Sequence, residues 1–93
     1  MRVHLYCIQI GLTMKLDGKV AIVTGSVRGL GWEIIQAFAQ EGAKVVICDL
    51  TQSDVDEAVA RLEAARENIL GVKADVTSER DVGDLFKHTL EKF

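Results

Sequence analysis

The residues whose spacing could do chemistry sit in Thr24-Gly25-Ser26-Val27-Arg28-Gly29-Leu30-Gly31, where three glycines fall between an apolar run and a periodic one. A helix N-terminus offers free backbone N–H groups to an anion, but only if the backbone can approach the anion closely. Glycine allows that approach: Gly25 suits a sharp turn, Gly29 contact with a pyrophosphate, and Gly31 the packing of helix on strand. Asp49 lies 24 residues after Gly25 and 18 after Gly31, near the spacing of about 20 at which an acid receives the ribose hydroxyls of a dinucleotide. A carboxylate there accepts both hydroxyl protons and repels a 2′-phosphate, which favours NAD. Arg28 pulls the other way, because a guanidinium in the phosphate turn can hold a 2′-phosphate in bidentate fashion. The repulsion acts at the 2′-position itself, so NADP is the less favoured cofactor. The bland readings are a ligand-free glycine turn, a plain turn residue at Asp49 and a solvated loop cation at Arg28; the strand before, the helix after and the acid beyond weigh against them.

Other chemistries find little to work with. Cys7 and Cys48 form no C-x-x-C pair, and His4 and His88 complete no zinc-ligand spacing. They read as reduced thiols of a cytoplasmic protein. No G-K-[ST] follows the glycines, so P-loop chemistry is excluded. A net charge of −3 and no Lys/Arg run exclude a nucleic-acid partner. No stretch approaches the ~20 apolar residues of a membrane span, and His4 and Gln9 interrupt the apolar start, so no signal sequence or membrane contact is expected.

Three strands and three helices must position the glycine turn. With 48% hydrophobic and 27% charged residues the chain has ordinary globular composition, and 93 residues suffice for one small domain. Val20 to Thr24 is a short β-branched run that reads as a strand buried on both faces. A helix follows over roughly Leu30 to Glu41, with Ile34 and Phe38 four apart and Gly42 as its terminator. Ala43 to Cys48 repeats the buried-strand pattern and stops at Asp49. Ser53 with Asp56 resembles a capping box for a second helix; Asp54, Asp56 and Glu57 load its first turn, and its apolar stripe continues through Leu62 and Ala65 to Ile69. Glu57 and Arg61 are spaced to pair on its wet side. The third strand spans Leu70 to Ala74 and ends at Asp75, after which Thr77 or Ser78 caps a helix through Leu85 and Leu90. Alternation of this kind predicts an α/β fold: a Rossmann-type parallel sheet, βαβαβα, with right-handed crossovers and strand order 3-2-1.

Met14-Lys15-Leu16-Asp17-Gly18-Lys19-Val20-Ala21-Ile22-Val23-Thr24-Gly25 running into Gly29-Leu30-Gly31 resembles the opening of the short-chain dehydrogenase/reductase family, whose cofactor motif is T-G-x-x-x-G-x-G. Gly71-Val72-Lys73-Ala74-Asp75-Val76-Thr77 is similar to that family's third strand. The resemblance covers residues 14–93 and leaves 1–13 as an N-terminal appendage, either a disordered leader or, over Val3 to Ile10, a strand able to fold back beside Val20 to Thr24. It implies that Ser26, Arg28, Gly29 and Leu30 line the phosphate and ribose region, while Asp49 with Leu50 and Asp75 with Val76 flank the adenosine. It also implies catalytic parts with no counterpart here: an N-N-A-G strand, a serine and a Y-x-x-x-K pair. The single tyrosine, Tyr6, precedes the glycine turn and is followed four residues on by Ile10. The expectation is therefore the N-terminal part of an NAD(P)-dependent oxidoreductase, stopping before a fourth strand, able to bind the adenosine and pyrophosphate of the cofactor but without catalytic residues of its own. The competing reading is a non-catalytic dinucleotide-binding or partner-docking module. A strand left unpaired on one side and apolar on both faces is expected to drive self-association.

Overall fold

The computed structural model describes residues 16–93; the appendage over residues 1–13, with its possible extra strand, lies outside the described residues. Strands β1 (Val20–Thr24), β2 (Lys44–Asp49) and β3 (Ile69–Lys73) alternate with helices α1 (Gly29–Gln40), α2 (Gln52–Arg61) and α3 (Glu79–Lys92). Both strand pairings are parallel and the order is β1-β2-β3, as the alternation predicts. All three C-terminal ends therefore meet at one edge of the sheet, where ligands bind in open α/β folds.

Successive side chains of a strand point to opposite faces, and the core splits accordingly. On one face Ala21, Val23, Val45, Ile47 and Ile69 pack against Trp32, Ile35 and Phe38 of α1 and against Val55 and Ala58 of α2. On the other, Val46, Cys48, Val72 and Ala74 pack against Leu85 of α3. Central β2 is buried from Val45 through Cys48. β1 departs from the expected two-faced burial: Val20 is exposed and Ile22 only half-buried against the α3-side core, because among the described residues α3 packs on β3 rather than over β1.

α1 ends where Gly42 takes φ +87°, with the Gly42 and Ala43 N–H groups donating to the carbonyls of Ala39 and Phe38, a left-handed cap that satisfies the last carbonyls of the helix. α2 corrects the sequence reading at both ends. Its N-cap is Thr51 rather than Ser53, and the Asp56 carboxylate accepts from Gln52 Nε2 at 2.8 Å instead of closing a box with Ser53. It stops at Arg61, where Leu62 turns extended, and Ile69 belongs to β3, opposite Val45. Leu62 and Ile69 bury in the same core from different elements, so an apolar stripe could not separate them. The end of the helix is held from just beyond it: Arg66, in a short 3-10 turn over Arg66–Asn68, donates to the carbonyls of Val59 and Ala60. The expected Glu57–Arg61 pair forms at 4.0 Å, and the same guanidinium lies 4.7 Å from the centre of the Trp32 ring.

Candidate functional site

The turn after β1 is fastened to β2 before it reaches α1. The N–H groups of Gly25 and Ser26 both donate to the Cys48 carbonyl, at 2.8 and 3.2 Å, and the Cys48 N–H donates to Ser26 Oγ at 3.1 Å. Ser26 is fully buried, so its hydroxyl serves this internal bond rather than the surface of the turn. Val27 then enters the core, Arg28 is extended, and Gly29 turns the chain into α1. Gly25 and Gly29 have φ +67° and +61°, the left-handed region that side chains with a Cβ rarely adopt. Gly31 answers a different demand: a Cβ there would stand 2.2 Å from the Gly25 carbonyl oxygen, so the first turn of α1 rests directly on the strand end. A Cβ on Gly29 would meet no atom within 4 Å, leaving that side of the turn open.

Among the described residues, the N-terminus of α1 is short of protein partners. Arg28 makes no side-chain cap bond and the first turn carries no acidic residue, although the first N–H groups of any helix lack intrahelical acceptors. The ladder begins only with Trp32 N–H donating to the Arg28 carbonyl. An open, uncapped turn with left-handed glycines fits the phosphates of a dinucleotide, which would supply the missing acceptors.

Beside it, a cavity of about 220 Å³ is built from the ends of all three strands: Thr24 and Gly25 after β1, Cys48, Asp49 and Leu50 after β2, and Ala74 through Thr77 after β3. Gly25, Asp49, Leu50, Asp75 and Val76, all expected from the sequence, meet here. Arg28, Gly29, Leu30 and Gly31 belong to the neighbouring turn and helix start, with Leu30 largely exposed. One Asp49 oxygen accepts the Leu50 N–H at 2.7 Å. One Asp75 oxygen accepts both the Oγ1 and the N–H of Thr77, at 2.6 and 2.9 Å, and these bonds hold its carboxyl below the usual carboxylate range. The Cys48 thiol is pushed up to about 11, chiefly by burial and then by the charges of Asp49 and Asp81, so it is a neutral wall of the cavity rather than a nucleophile. What this set can do is accept hydrogen bonds from hydroxyls and amines against an apolar lining.

Sequence reasoning missed Thr77 as a lining residue and the partner of Arg28. Arg28 Nη2 lies 2.8 Å from Asp54 Oδ2, across 26 positions of sequence. Asp54 stands out in the sequence only as a helix first-turn acid; nothing local indicates that it meets Arg28.

A parallel sheet carrying a glycine turn at the end of its first strand and acids at the ends of its second and third defines a Rossmann-type nucleotide-binding fold. Residues 19–93 match the family described as short chain dehydrogenase. The chain is 39% identical over 82 residues to the short-chain dehydrogenase/reductase SDRA of Arabidopsis thaliana, an alignment covering 88% of this chain and 32% of that one. A short-chain dehydrogenase/reductase of Brucella melitensis, described as a glucose/ribitol dehydrogenase, superposes with TM-score 0.81 at 28% identity, covering 88% of this chain and 34% of its own. One from Burkholderia phymatum, solved in complex with NAD, gives TM-score 0.77 at 34% identity over 85% of this chain and 28% of that one. The chain belongs to the short-chain dehydrogenase/reductase family and spans about a third of the length of these relatives. Among the described residues no helix is long and apolar enough to cross a membrane.

Proposed function

We propose that this chain binds the adenosine and pyrophosphate of NAD, as the cofactor-holding part of a short-chain oxidoreductase. The observation that carries the reading is the uncapped, left-handed glycine turn at the start of α1, set beside strand ends that carry Asp49 and Asp75. In this reading the N–H groups of Gly29, Leu30 and Gly31 receive the pyrophosphate. Asp49 accepts the adenosine ribose hydroxyls, with Leu50 against the ribose. Asp75 and Val76 flank the adenine. The bound cofactor supplies hydride chemistry; the chain's own residues bind and orient its adenosine end. Hydride transfer is assigned to the longer protein, because the family's Y-x-x-x-K pair has no counterpart in this sequence.

Calorimetric titration of the refolded chain with NAD, NADP and ADP-ribose tests the reading. Binding of NAD and ADP-ribose is expected, stronger than that of NADP, and Gly29→Ala is expected to weaken all three by adding a methyl on the open side of the turn. Equal heats for wild type and Gly29→Ala would move the site elsewhere. The exposed Val20 and half-buried Ile22, on a strand paired on one side only among the described residues, also support self-association along β1. Sedimentation at several concentrations should show a concentration-dependent rise in mass; a monomer throughout would refute it.

A further inference from the structure

We propose that Asp54 is a specificity-determining residue of this site: it holds the Arg28 guanidinium and so withholds from a 2′-phosphate the one positive charge adjoining Gly29 in the glycine turn. The proposal rests on the dinucleotide reading above and deepens it. Arg28 belongs to the turn between β1 and α1, and Asp54 to the first turn of α2, shortly after the chain leaves β2 at Asp49. Their ion pair, at 2.8 Å, therefore ties together the two loops between which the ribose of the dinucleotide is read. A cavity of about 160 Å³ lies at this junction, and its charged lining is Arg28, Asp54, Glu57 and Arg61. Arg61 is engaged by Glu57 and by the Trp32 ring, so both cations of this cavity already have carboxylate partners.

A 2′-phosphate seeking Arg28 would have to displace Asp54 from it, while Asp49 lines the neighbouring cavity where the ribose is proposed to sit. Two carboxylates thus act against NADP by different routes, Asp49 through direct repulsion and Asp54 through competition for the cation. The side chain of Arg28 is 73% exposed and that of Asp54 38%, so the competition is weakened by solvent and its effect should be modest and salt-dependent.

The test is the ratio of NADP to NAD affinity, measured by calorimetry on the full chain for wild type, Asp54→Asn, Asp54→Glu, Arg28→Gln and the Asp54→Asn/Arg28→Gln double variant, with circular dichroism to verify folding. Asp54→Asn is expected to raise the ratio about two- to fivefold, the range set by an exposed ion pair. Asp54→Glu should restore the wild-type ratio, and the gain should shrink in high salt. The Arg28→Gln background should abolish the gain, which separates release of Arg28 from the general removal of a negative charge. An unchanged ratio in Asp54→Asn, or a gain that persists without Arg28, overturns the role of Asp54 while leaving the dinucleotide reading intact. Failure of wild type to bind either nucleotide overturns that reading, and the role of Asp54 falls with it.

Discussion

The turns after β1 and after β3 stand at equivalent places in the sheet and solve opposite problems. Each carries the chain from a parallel strand into a helix at the ligand-binding edge. After β3 the polar groups are satisfied from within: Ser78 Oγ accepts the Asp81 N–H at 3.2 Å, Asp81 Oδ2 reaches back to the Asp75 N–H at 2.9 Å, and Asp75 takes the N–H and hydroxyl of Thr77. Glu79 and Asp81 add negative charge to the first turn of α3, where the helix dipole favours it. After β1 there is no side-chain cap and no first-turn acid, and glycines hold two left-handed positions. A turn that caps its own helix gains stability and leaves few donors for an anion. A turn that leaves the helix start bare gives up that stability and keeps the donors available.

The largest break in this contrast should come from Gly31→Val. A Cβ at this position would sit 2.2 Å from the Gly25 carbonyl oxygen and 2.9 Å from its carbon. Both are backbone atoms fastened to β2, so the helix must move rather than a side chain. Overpacking of a fixed site typically costs about 1–3 kcal/mol, and contact this short places the variant at or beyond the top of that range. Chemical denaturation should show loss of a cooperative transition or a large fall in its midpoint; wild-type stability would show that α1 does not rest on the strand end.

A smaller effect is expected from Ser78→Ala on the capped side. Loss of an N-cap bond costs typically about 1 kcal/mol, or roughly 4–8 °C in Tm for a domain of this size. Affinity for NAD should be reduced little, because Ser78 does not line the cavity and its hydroxyl serves the Asp81 N–H. An equal loss of stability and affinity would show that the two turns are not independent.

The division of labour was legible to different depths in the two turns. The cap of α3 could be narrowed locally to Thr77 or Ser78, although the same serine-and-acid spacing at Ser53 and Asp56 misplaced the start of α2. The glycines likewise show through type and spacing, and the first two strands, read as Val20 to Thr24 and Ala43 to Cys48, show through apolar continuity. What stayed hidden depends on contacts between separate elements. Arg66 closing α2 onto Val59 and Ala60, Ile69 joining β3 instead of the helix, Ser26 Oγ serving the Cys48 N–H and Asp54 meeting Arg28 each need the fold before they can be seen. Periodicity describes one element at a time, so an apolar residue that buries in the shared core from a strand looks the same as one that buries from a helix.

The smallest expected effect concerns the pH dependence of the capped turn. Asp75 is held below the ordinary carboxylate range by its bonds from Thr77, so its contribution to stability is present above the unfolded carboxylate value and is lost as pH falls through the lower folded one. Its carboxyl faces solvent, which keeps the contribution small. Asp75→Asn should therefore melt slightly below wild type at neutral pH, with the gap steady down to about pH 5 and closing below about pH 4, where the unfolded chain takes up the proton before the folded Asp75 does. Thermal melts of the two proteins between pH 3 and 7 check this. A gap that stays constant to pH 3 would mean that the Thr77 bonds do not depend on the charge of Asp75, and the self-capped turn would then owe its stability to Ser78 and Asp81 alone.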